Sequence, residues 1–348
     1  MKTYIRSASS ISPQNTFGDN GFLTNVVESV GTRLKAIEPD YKQYIDPKLI
    51  RRMSHVIKMG VSAAKDCLNR ANVEMPGAII TGTAFGCMED TVAFMTRIVE
   101  LNEEMLPPTS FIQSTHNTVA AQIALMLQCH GYNNTFVHKG ISFENALIDA
   151  LMLLKEGEAN NILVGGTEEM IDVSFTVLTR LGLYKRQPIS NLDLYKEESK
   201  GTIGGEGASF FLLSDKDTAD NLAELIGLKT LYKPSDIEQG ISNFLKEHNL
   251  NINDIDLVIT GRNGDIKNDK VYNDLAQSLF ANSTLVNYKH LCGEYPTSSS
   301  FALWLAANII KTGKVPSVVA NLGIAPKKVL IYNHYQGNYH SLMLLSAC

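Results

Sequence analysis

Two stretches of this chain repeat one helix–strand pattern, and this duplication constrains the fold more than any other feature. In the first stretch, a helical pattern ending at Cys67–Arg70 leads into the apolar strand Ala78–Gly82. In the second, a helical pattern ending at Phe244–His248 leads into the strand Leu257–Gly261. Apolar strands that alternate with helices are typical of parallel sheets buried on both faces. The repeat therefore predicts two α/β halves packed against each other.

A second pair of helix–strand units supports the same duplication. The helix Ser142–Gly157 leads into the strand Asn161–Val164, and the helix Ser298–Gly313 leads into a predicted strand Ser317–Ala320. The offset between these two units is a constant 156 residues. We therefore predict that each half contains at least two such units.

The join between the halves is predicted from a change in polarity. A polar stretch, Asp215–Asn221, follows the apolar strand Ser209–Leu213. This places the first half at residues 1–217 and the second at residues 218–348. With 348 residues, of which 44% are hydrophobic and 19% charged, the chain is long and apolar enough to bury a substantial core.

Charge and cysteine usage exclude several classes of function. The net charge of −5 offers no broad basic field for a phosphate backbone, so nucleic acid is not expected as a partner. The longest apolar windows, such as Phe301–Ile310, are too short to span a bilayer. The five cysteines are widely spaced and lack metal-type pairing, which fits reduced thiols. We expect a cytoplasmic protein with no membrane span.

An ordered set of motifs along nearly the whole chain resembles the β-ketoacyl-acyl-carrier-protein synthases. The motifs are Arg51-Arg52-Met53, Met59-Gly60, Thr81–Gly86, Leu106-Pro107-Pro108, Gly165–Glu168 and Gly201–Ala208. The resemblance implies the thiolase-like fold, in which two similar α/β halves form a five-layered αβαβα body and the protomer dimerises. This agrees with the duplication found in the residues themselves.

The resemblance also implies where the reacting groups would be, and here the chain departs from the family. Such enzymes use a cysteine thiolate at a helix amino end, together with two histidines, for decarboxylative Claisen condensation. The family's spacing places the nucleophile at Gly140 and the histidines at Arg262 and Glu294, while Lys289 matches a retained lysine. Glycine has no side chain to acylate, and arginine has no lone pair to act as a base. We therefore expect no functional catalytic residue at these positions.

Two further expectations concern the shape of the pocket. The resemblance places Arg262 and Glu294 across it from each other, so we hypothesise an ion pair between them that fills the pocket. The carboxy-terminal loop reads Asn333–Asn338 where the family has glycine and phenylalanine, and Tyr335 occupies the gate-like position. Such a loop is expected to be stiffer than the family's.

Other side chains could support altered chemistry, and each also has a structural explanation. Cys292 could be an alternative thiolate activated by His290 or Arg262, or an ordinary buried thiol. Ser142 could attack a thioester, but a hydroxyl in a first helical turn more often caps backbone N–H groups. His138 and the run Thr297–Ser300 are expected to pack or to form hydrogen bonds.

No metal and no cofactor are expected. The oxygen-bearing residues Asp265, Asn268, Asp269 and Asp274 miss the spacing of a calcium loop, and a helix entry with Asp269 as a possible cap explains them. The glycine-rich segments lack the lysine of a phosphate-binding loop and the context of a dinucleotide motif. They are predicted to be tight turns around the pocket.

Three functions fit these observations. The favoured one resembles the chain-length factors of type II polyketide, aryl polyene and related pathways: a non-catalytic subunit that pairs with an active ketosynthase and meets an acyl carrier protein. The alternative is an acyl-thioester enzyme of altered chemistry (hydrolase, acyltransferase or condensing enzyme) that uses Cys292 or Ser142. A homodimeric binding or vestigial protein is the third.

The resemblance further indicates where partners of the favoured function would bind. Candidates to cap the neighbour's tunnel lie in the segment expected near the dimer contact, and basic candidates for contact with an acidic carrier are expected near the mouth of the pocket. These residues are Phe111, Ile112 and Met126 for the tunnel, and Arg51, Arg52, Lys58 and Lys65 for the carrier.

Overall fold

A computed structural model describes residues 2–18, 22–196, 199–323 and 325–348 of the chain. Within these residues, twelve β-strands are formed: β1 Tyr4–Ile11, β2 Val30–Gly31, β3 Ala78–Gly82, β4 Tyr132–Phe136, β5 Asn161–Glu168, β6 Ile189–Ser190, β7 Gly207–Ser214, β8 Ala223–Tyr232, β9 Leu257–Thr260, β10 Leu285–Asn287, β11 Lys328–Tyr335 and β12 Tyr339–Ser346. The same residues form eleven α-helices: α1 Pro47–Ile50, α2 His55–Arg70, α3 Met88–Glu100, α4 Pro108–Gln113, α5 Thr118–Leu127, α6 Ser142–Glu156, α7 Asp172–Arg180, α8 Ile237–Glu247, α9 Ile266–Gln277, α10 Lys289–Cys292 and α11 Ser299–Thr312.

Ten strands share one sheet that consists of two similar five-stranded halves. The order is β10-β9-β11-β12-β8-β1-β7-β5-β3-β4, and β2 and β6 pair separately. In the first half β4, β3 and β5 are parallel to one another, β7 is antiparallel to β5, and β1 is antiparallel to β7. In the second half β10, β9 and β11 are parallel to one another, β12 is antiparallel to β11, and β8 is antiparallel to β12. The halves meet where Tyr4 pairs with Glu224 and Ile5 with Ala223. The predicted duplication is confirmed.

Helices and sheets alternate in five layers. Helices α6 and α11 lie between the two halves of the sheet, and their apolar side chains share one core with strands of both halves. Helices α2 and α5 cover the outer face of the first half, and α8 and α9 cover that of the second. The predicted αβαβα architecture is confirmed.

Local sequence explains why the central elements form. In α6, the apolar residues Phe143, Leu147, Ala150 and Leu154 recur on one face and are all buried, and Gly157 ends the helix in the left-handed conformation. Strands β3 and β9 are buried at every position, as expected of parallel strands covered on both faces.

One predicted strand is wrong. Residues Ser317–Ala320 form a turn in which the N–H groups of Val319 and Ala320 donate to the carbonyl oxygen of Pro316. Their apolar side chains still pack against the central core, which explains the strand-like pattern. The counterpart of β5 in the second half is β11, which pairs with β9 as β5 pairs with β3.

The predicted join coincides with a connection in the chain. Residues 215–222 link β7, the last strand of the first half, to β8 of the second. The division after residue 217 into two folding units stays a prediction. None of the helices in the described parts of the chain is long and apolar enough to cross a membrane.

Candidate functional site

Gly140 lies where a nucleophile would be expected, in the tight turn Lys139–Ile141 between β4 and α6. Gly140 is buried, and a Cβ atom built on it would lie 2.2 Å from Cβ and 2.5 Å from Cγ of Tyr335. Such distances are shorter than any van der Waals contact between carbon atoms. The structure therefore has room only for glycine at this position, because Tyr335 occupies the space of a side chain.

Tyr335 is held there by the turn between β11 and β12. Its carbonyl oxygen accepts a hydrogen bond from the N–H of Asn338, and the two residues between them, Gln336 and Gly337, have φ angles of 54° and 65°. The cavity beside Tyr335 has a volume of about 20 Å³. This is room for one water molecule, whereas small-molecule sites usually measure hundreds of Å³.

Glu294 forms a polar centre in the lining of the same cavity as Tyr335. The Nζ atom of Lys289 lies 2.6 Å from Glu294 Oε2, and Asn263 Nδ2 donates to the same oxygen at 2.6 Å. Lys289 is fully buried, so it depends on this carboxylate for its charge partner. The other oxygen, Oε1, is buried without a hydrogen-bond partner among the described residues.

The predicted ion pair between Arg262 and Glu294 is wrong. The structure pairs Arg262 with Asp269, with Nε 3.1 Å from Oδ2, and pairs Glu294 with Lys289. The Arg262 side chain is partly exposed and its guanidinium lies over the Tyr195 ring. The prediction was wrong by one residue: the side chain of Asn263, and not that of Arg262, reaches Glu294.

Asp269 binds the backbone that follows β9. Its carboxylate accepts hydrogen bonds from the N–H groups of Asn263 and Gly264. The amino end of α9 is capped by Asp265, which accepts from the N–H groups of Lys267 and Asn268. Asp269 is therefore not the helix cap that the sequence predicted, because its side chain points back to the preceding turn.

Two adjacent buried carboxyl groups at the end of β5 were not predicted. Glu168 accepts from the N–H groups of Ala84 and Phe85, and Glu169 accepts from those of Val56 and Glu89 at the starts of α2 and α3. Burial raises the pKa of Glu168 to about 8 and that of Glu169 to about 7. The only signal in the sequence was that two carboxylates followed a buried strand.

The alternative nucleophiles are placed in structural surroundings. Cys292 is fully buried, and burial raises the pKa of its thiol well above the usual value. Burial lowers the pKa of His290 to about 4, and its Nε2 binds the carbonyl oxygen of Val318. The Ser142 hydroxyl accepts from the N–H of His138 and donates to the carbonyl oxygen of Lys139. It is therefore not the helix cap that the sequence predicted, because it binds the turn before α6 and not the N–H groups of the helix. None of these contacts resembles an activated nucleophile.

The remaining predicted residues have the following environments. His138 is exposed, and its Nδ1 lies 2.8 Å from Nδ2 of Asn145. The run Thr297–Ser300 is fully buried at the start of α11. Asp274 forms an ion pair with Lys270 on the surface. Within the described ranges, no group of three or more histidine, cysteine, aspartate or glutamate side chains is arranged to hold a metal ion.

Helices α3 and α4 present an exposed apolar face. Neither buries an apolar side chain, and they are joined by the contact of the Phe94 and Phe111 rings. We define this apolar face by four exposed side chains: Met95, Val99, Phe111 and Ile112. The face includes two of the three predicted tunnel residues. The third, Met126, packs against the chain's own core.

The basic residues predicted to contact an acyl carrier protein differ in their exposure and in their contacts. Arg51 and Arg52 are exposed. Lys65 donates to the carbonyl oxygen of Tyr44, and Lys58 lies over the ring of Tyr41. Only the two arginines therefore have the exposure expected of a docking contact.

The duplicated α/β body, with this closed site at the start of its central helix α6, has the thiolase-like fold. Residues 33–189 match the family model described as beta-ketoacyl synthase, N-terminal domain. The 3-oxoacyl-[acyl-carrier-protein] synthase 2 of Synechocystis sp. is 24% identical over 191 residues, which are 52% of this chain and 46% of that protein. Over these residues the chain is similar to the β-ketoacyl synthases.

A second curated relative matches a similar share of the chain. A synthase 2 of Staphylococcus aureus is 21% identical over 207 residues, which are 54% of this chain and 49% of that protein. The matched region thus spans about half the length of these curated relatives.

Solved structures of low sequence identity share the fold over the whole chain. The ishigamide ketosynthase/chain length factor has a TM-score of 0.81 at 16% identity, covering 100% of this chain and 99% of that one. A solved complex of a type II PKS acyl-carrier protein with its ketosynthase includes a chain with a TM-score of 0.72 at 15% identity. The match covers 100% of this chain and 99% of that one. A beta-ketoacyl synthase from Burkholderia phymatum has a TM-score of 0.77 at 16% identity and equal coverage.

Proposed function

We propose that this chain is a non-catalytic, chain-length-factor-like subunit of a type II fatty acid or polyketide (aryl polyene-like) synthase. The observation that carries the proposal is the contact of Tyr335 with Gly140. An acyl chain needs both an atom to hold it and a space to enter, and the position matching the nucleophile has neither. The residues matching the two histidines, Arg262 and Glu294, are committed to ion pairs with other side chains.

The proposed partner is an active ketosynthase bound to the apolar face of α3 and α4. Val99 is 75% exposed, Phe111 57% and Ile112 60%, which is unusual for neighbouring apolar side chains of a folded protein. Burying them in an interface would remove this area from water and supply a central apolar patch. Phe111 and Ile112 would then lie toward the tunnel of the ketosynthase. A homodimer through the same face is the second arrangement to be tested.

An acyl carrier protein is proposed as the second partner, with Arg51 and Arg52 as its contacts. Exposed guanidinium groups attract an acidic surface and speed its approach. A cytoplasmic location is part of the same proposal. It is supported by five cysteines that are all free thiols in the structure.

The experiment that tests the proposal is purification of the tagged chain from its own cells, followed by reconstitution. We expect a ketosynthase with an intact cysteine–histidine–histidine site to copurify, and its condensation of a malonyl thioester to depend on this chain. Val99→Glu should abolish copurification, because it places a charge in the apolar face. The matched control is Lys246→Glu, an exposed substitution on α8 at the opposite outer layer.

Two results would overturn the proposal. A covalent acyl adduct on the isolated chain that turns over with an acyl carrier protein would favour the altered-chemistry enzyme, with Cys292 or Ser142 as the residues to map. A homodimer that Val99→Glu dissociates, with no ketosynthase bound at any stage, would favour a binding protein. Intact mass spectrometry and light scattering distinguish the three cases.

A further inference from the structure

Two histidines hold the turn that carries Tyr335. His334 and His340 face each other across β11 and β12. The N–H of Gly337 donates to His334 Nδ1 at 3.0 Å, and Nε2 of His340 donates to the carbonyl oxygen of Gly337 at 3.2 Å. Both polar backbone groups of one turn residue are therefore bound by imidazoles.

The outer contacts of the two rings fix their tautomers. His334 Nε2 donates to the carbonyl oxygen of Asn268 at 2.9 Å, so its proton is on Nε2 and Nδ1 is free to accept. His340 Nδ1 lies 3.0 Å from the hydroxyl of Tyr332, which leaves Nε2–H to donate to Gly337. A second proton on His334 would occupy Nδ1 and remove the acceptor for the Gly337 N–H. The contact therefore requires neutral His334.

The groups around His334 favour its neutral form. The Tyr272 ring of α9 stacks on it with centroids 4.9 Å apart, and the His340 ring lies 5.4 Å away. Burial is the largest cause that lowers the pKa of His334 to about 3, and the positive charge of Lys289 on α10 adds to it. In the closed turn, His334 is thus neutral at neutral pH.

We propose that His334 and His340 clamp Gly337 so that Tyr335 stays against Gly140, and that protonation of His334 releases the turn. Tyr335 is two residues before Gly337 in the same turn, so a change in the position of one displaces the other. The clamp involves only residues of this chain, and it keeps the space beside Gly140 closed. It therefore does not depend on the proposed function.

The test compares two amide substitutions of one histidine by hydrogen exchange at pH 7. His334→Asn keeps an oxygen near the position of Nδ1 and so keeps an acceptor for Gly337. His334→Gln places its amide near Nε2, which keeps the contact with Asn268 but leaves Gly337 without an acceptor. We expect exchange of the Gly337 amide to speed up roughly 2- to 12-fold in His334→Gln and to stay within about twofold in His334→Asn. Equal rates in the two variants would overturn the clamp.

A pH series on the unmodified chain tests the same clamp without substitution. After correction for the pH dependence of the intrinsic exchange rate, the exchange rate of the Gly337 amide should increase by up to about tenfold for each unit that the pH falls below 6.5. The reason is that only the open turn takes up the proton. The amide of Phe211, in the middle of buried β7, is the control for global opening. A Gly337 rate that is flat with pH, or that only follows Phe211, would contradict the proposal.

A third measurement links the clamp to Tyr335. Nitration of Tyr335 by tetranitromethane, mapped by peptide mass spectrometry, should be faster in His334→Gln than in His334→Asn. Faster exchange at Gly337 with unchanged nitration of Tyr335 would refute the link between them. All three readouts use the isolated full chain, so their failure is separate from failure to find a partner.

Discussion

Gly140→Ala is the perturbation that most directly tests how the pocket is closed. The new methyl group would lie 2.2 Å from Cβ and 2.5 Å from Cγ of Tyr335, well inside the 3.0 Å that real Cβ contacts keep. Neither atom is the flexible end of a side chain, so the turn or the start of α6 must shift. Overpacking of this kind typically costs about 1–3 kcal/mol, and we expect the free energy of unfolding to fall by at least that amount.

A second substitution shows whether the contact with Tyr335 is the cause. Tyr335→Gly removes every clashing side-chain atom of Tyr335, so Gly140→Ala should cost little in that background. Tyr335→Ala is the matched control, because it keeps Cβ at 2.2 Å and therefore keeps the clash. The double-mutant cycle with Tyr335→Gly should give a favourable coupling of about 1–3 kcal/mol, whereas the cycle with Tyr335→Ala should give much less.

The assay is equilibrium unfolding in urea, with the m-value compared across all variants to check that the transition stays comparable. Equal costs of Gly140→Ala in the Tyr335, Gly and Ala backgrounds would refute the reasoning. So would a cost below about 0.5 kcal/mol in the unmodified background, the range of ordinary surface substitutions.

The other predictions concern charge. Lys289→Met should lower the free energy of unfolding by about 3–5 kcal/mol, because it leaves Glu294 buried without its charge partner. Arg262→Met removes a partly exposed ion pair and should lower the free energy of unfolding by about 1 kcal/mol or less. Similar costs of the two substitutions in urea unfolding would contradict the assigned pairs. Burial raises the pKa of Glu168 from 4.5 to about 8, so its contribution to stability is full below pH 4.5 and is lost as pH rises through 8. Glu168→Gln should therefore flatten the decline in the free energy of unfolding at alkaline pH. An unchanged slope would contradict this prediction. Burial lowers the pKa of His334 from 6.5 to about 3, so its contribution is full above pH 6.5 and is lost as pH falls toward 3; His334→Asn should reduce the acid decline in urea titrations, and an equally steep decline would argue against it.

The sequence predicts the architecture well because parallel strands buried on both faces leave a continuous apolar pattern. Strands β3 and β9 and helix α6 lie where that pattern places them. It fails at Ser317–Ala320, where a short apolar run packs against the core as a turn. Short apolar runs do not distinguish strand from other buried structure, since their periodicity is the same.

The site was less predictable because it depends on side-chain direction. A shift of one residue separates Arg262, which turns outward to Asp269, from Asn263, which reaches Glu294. Pattern alone cannot fix such a direction after a strand ends. One signal was present, however: a lysine expected in a buried pocket requires a carboxylate, and Glu294, five residues after Lys289, was available.

The position of β1 has a consequence for the order in which the protein can assemble. This strand lies between β7 and β8 in the sheet, and its Ser10 contacts Ser209, 199 residues later in the chain. During synthesis, the amino-terminal strand must therefore wait unpaired until β7 has left the ribosome. Contacts of such long sequence separation form slowly, and a strand whose edges are both unpaired is prone to aggregate. Nascent chains stalled before residue 207 are thus the species most in need of a chaperone.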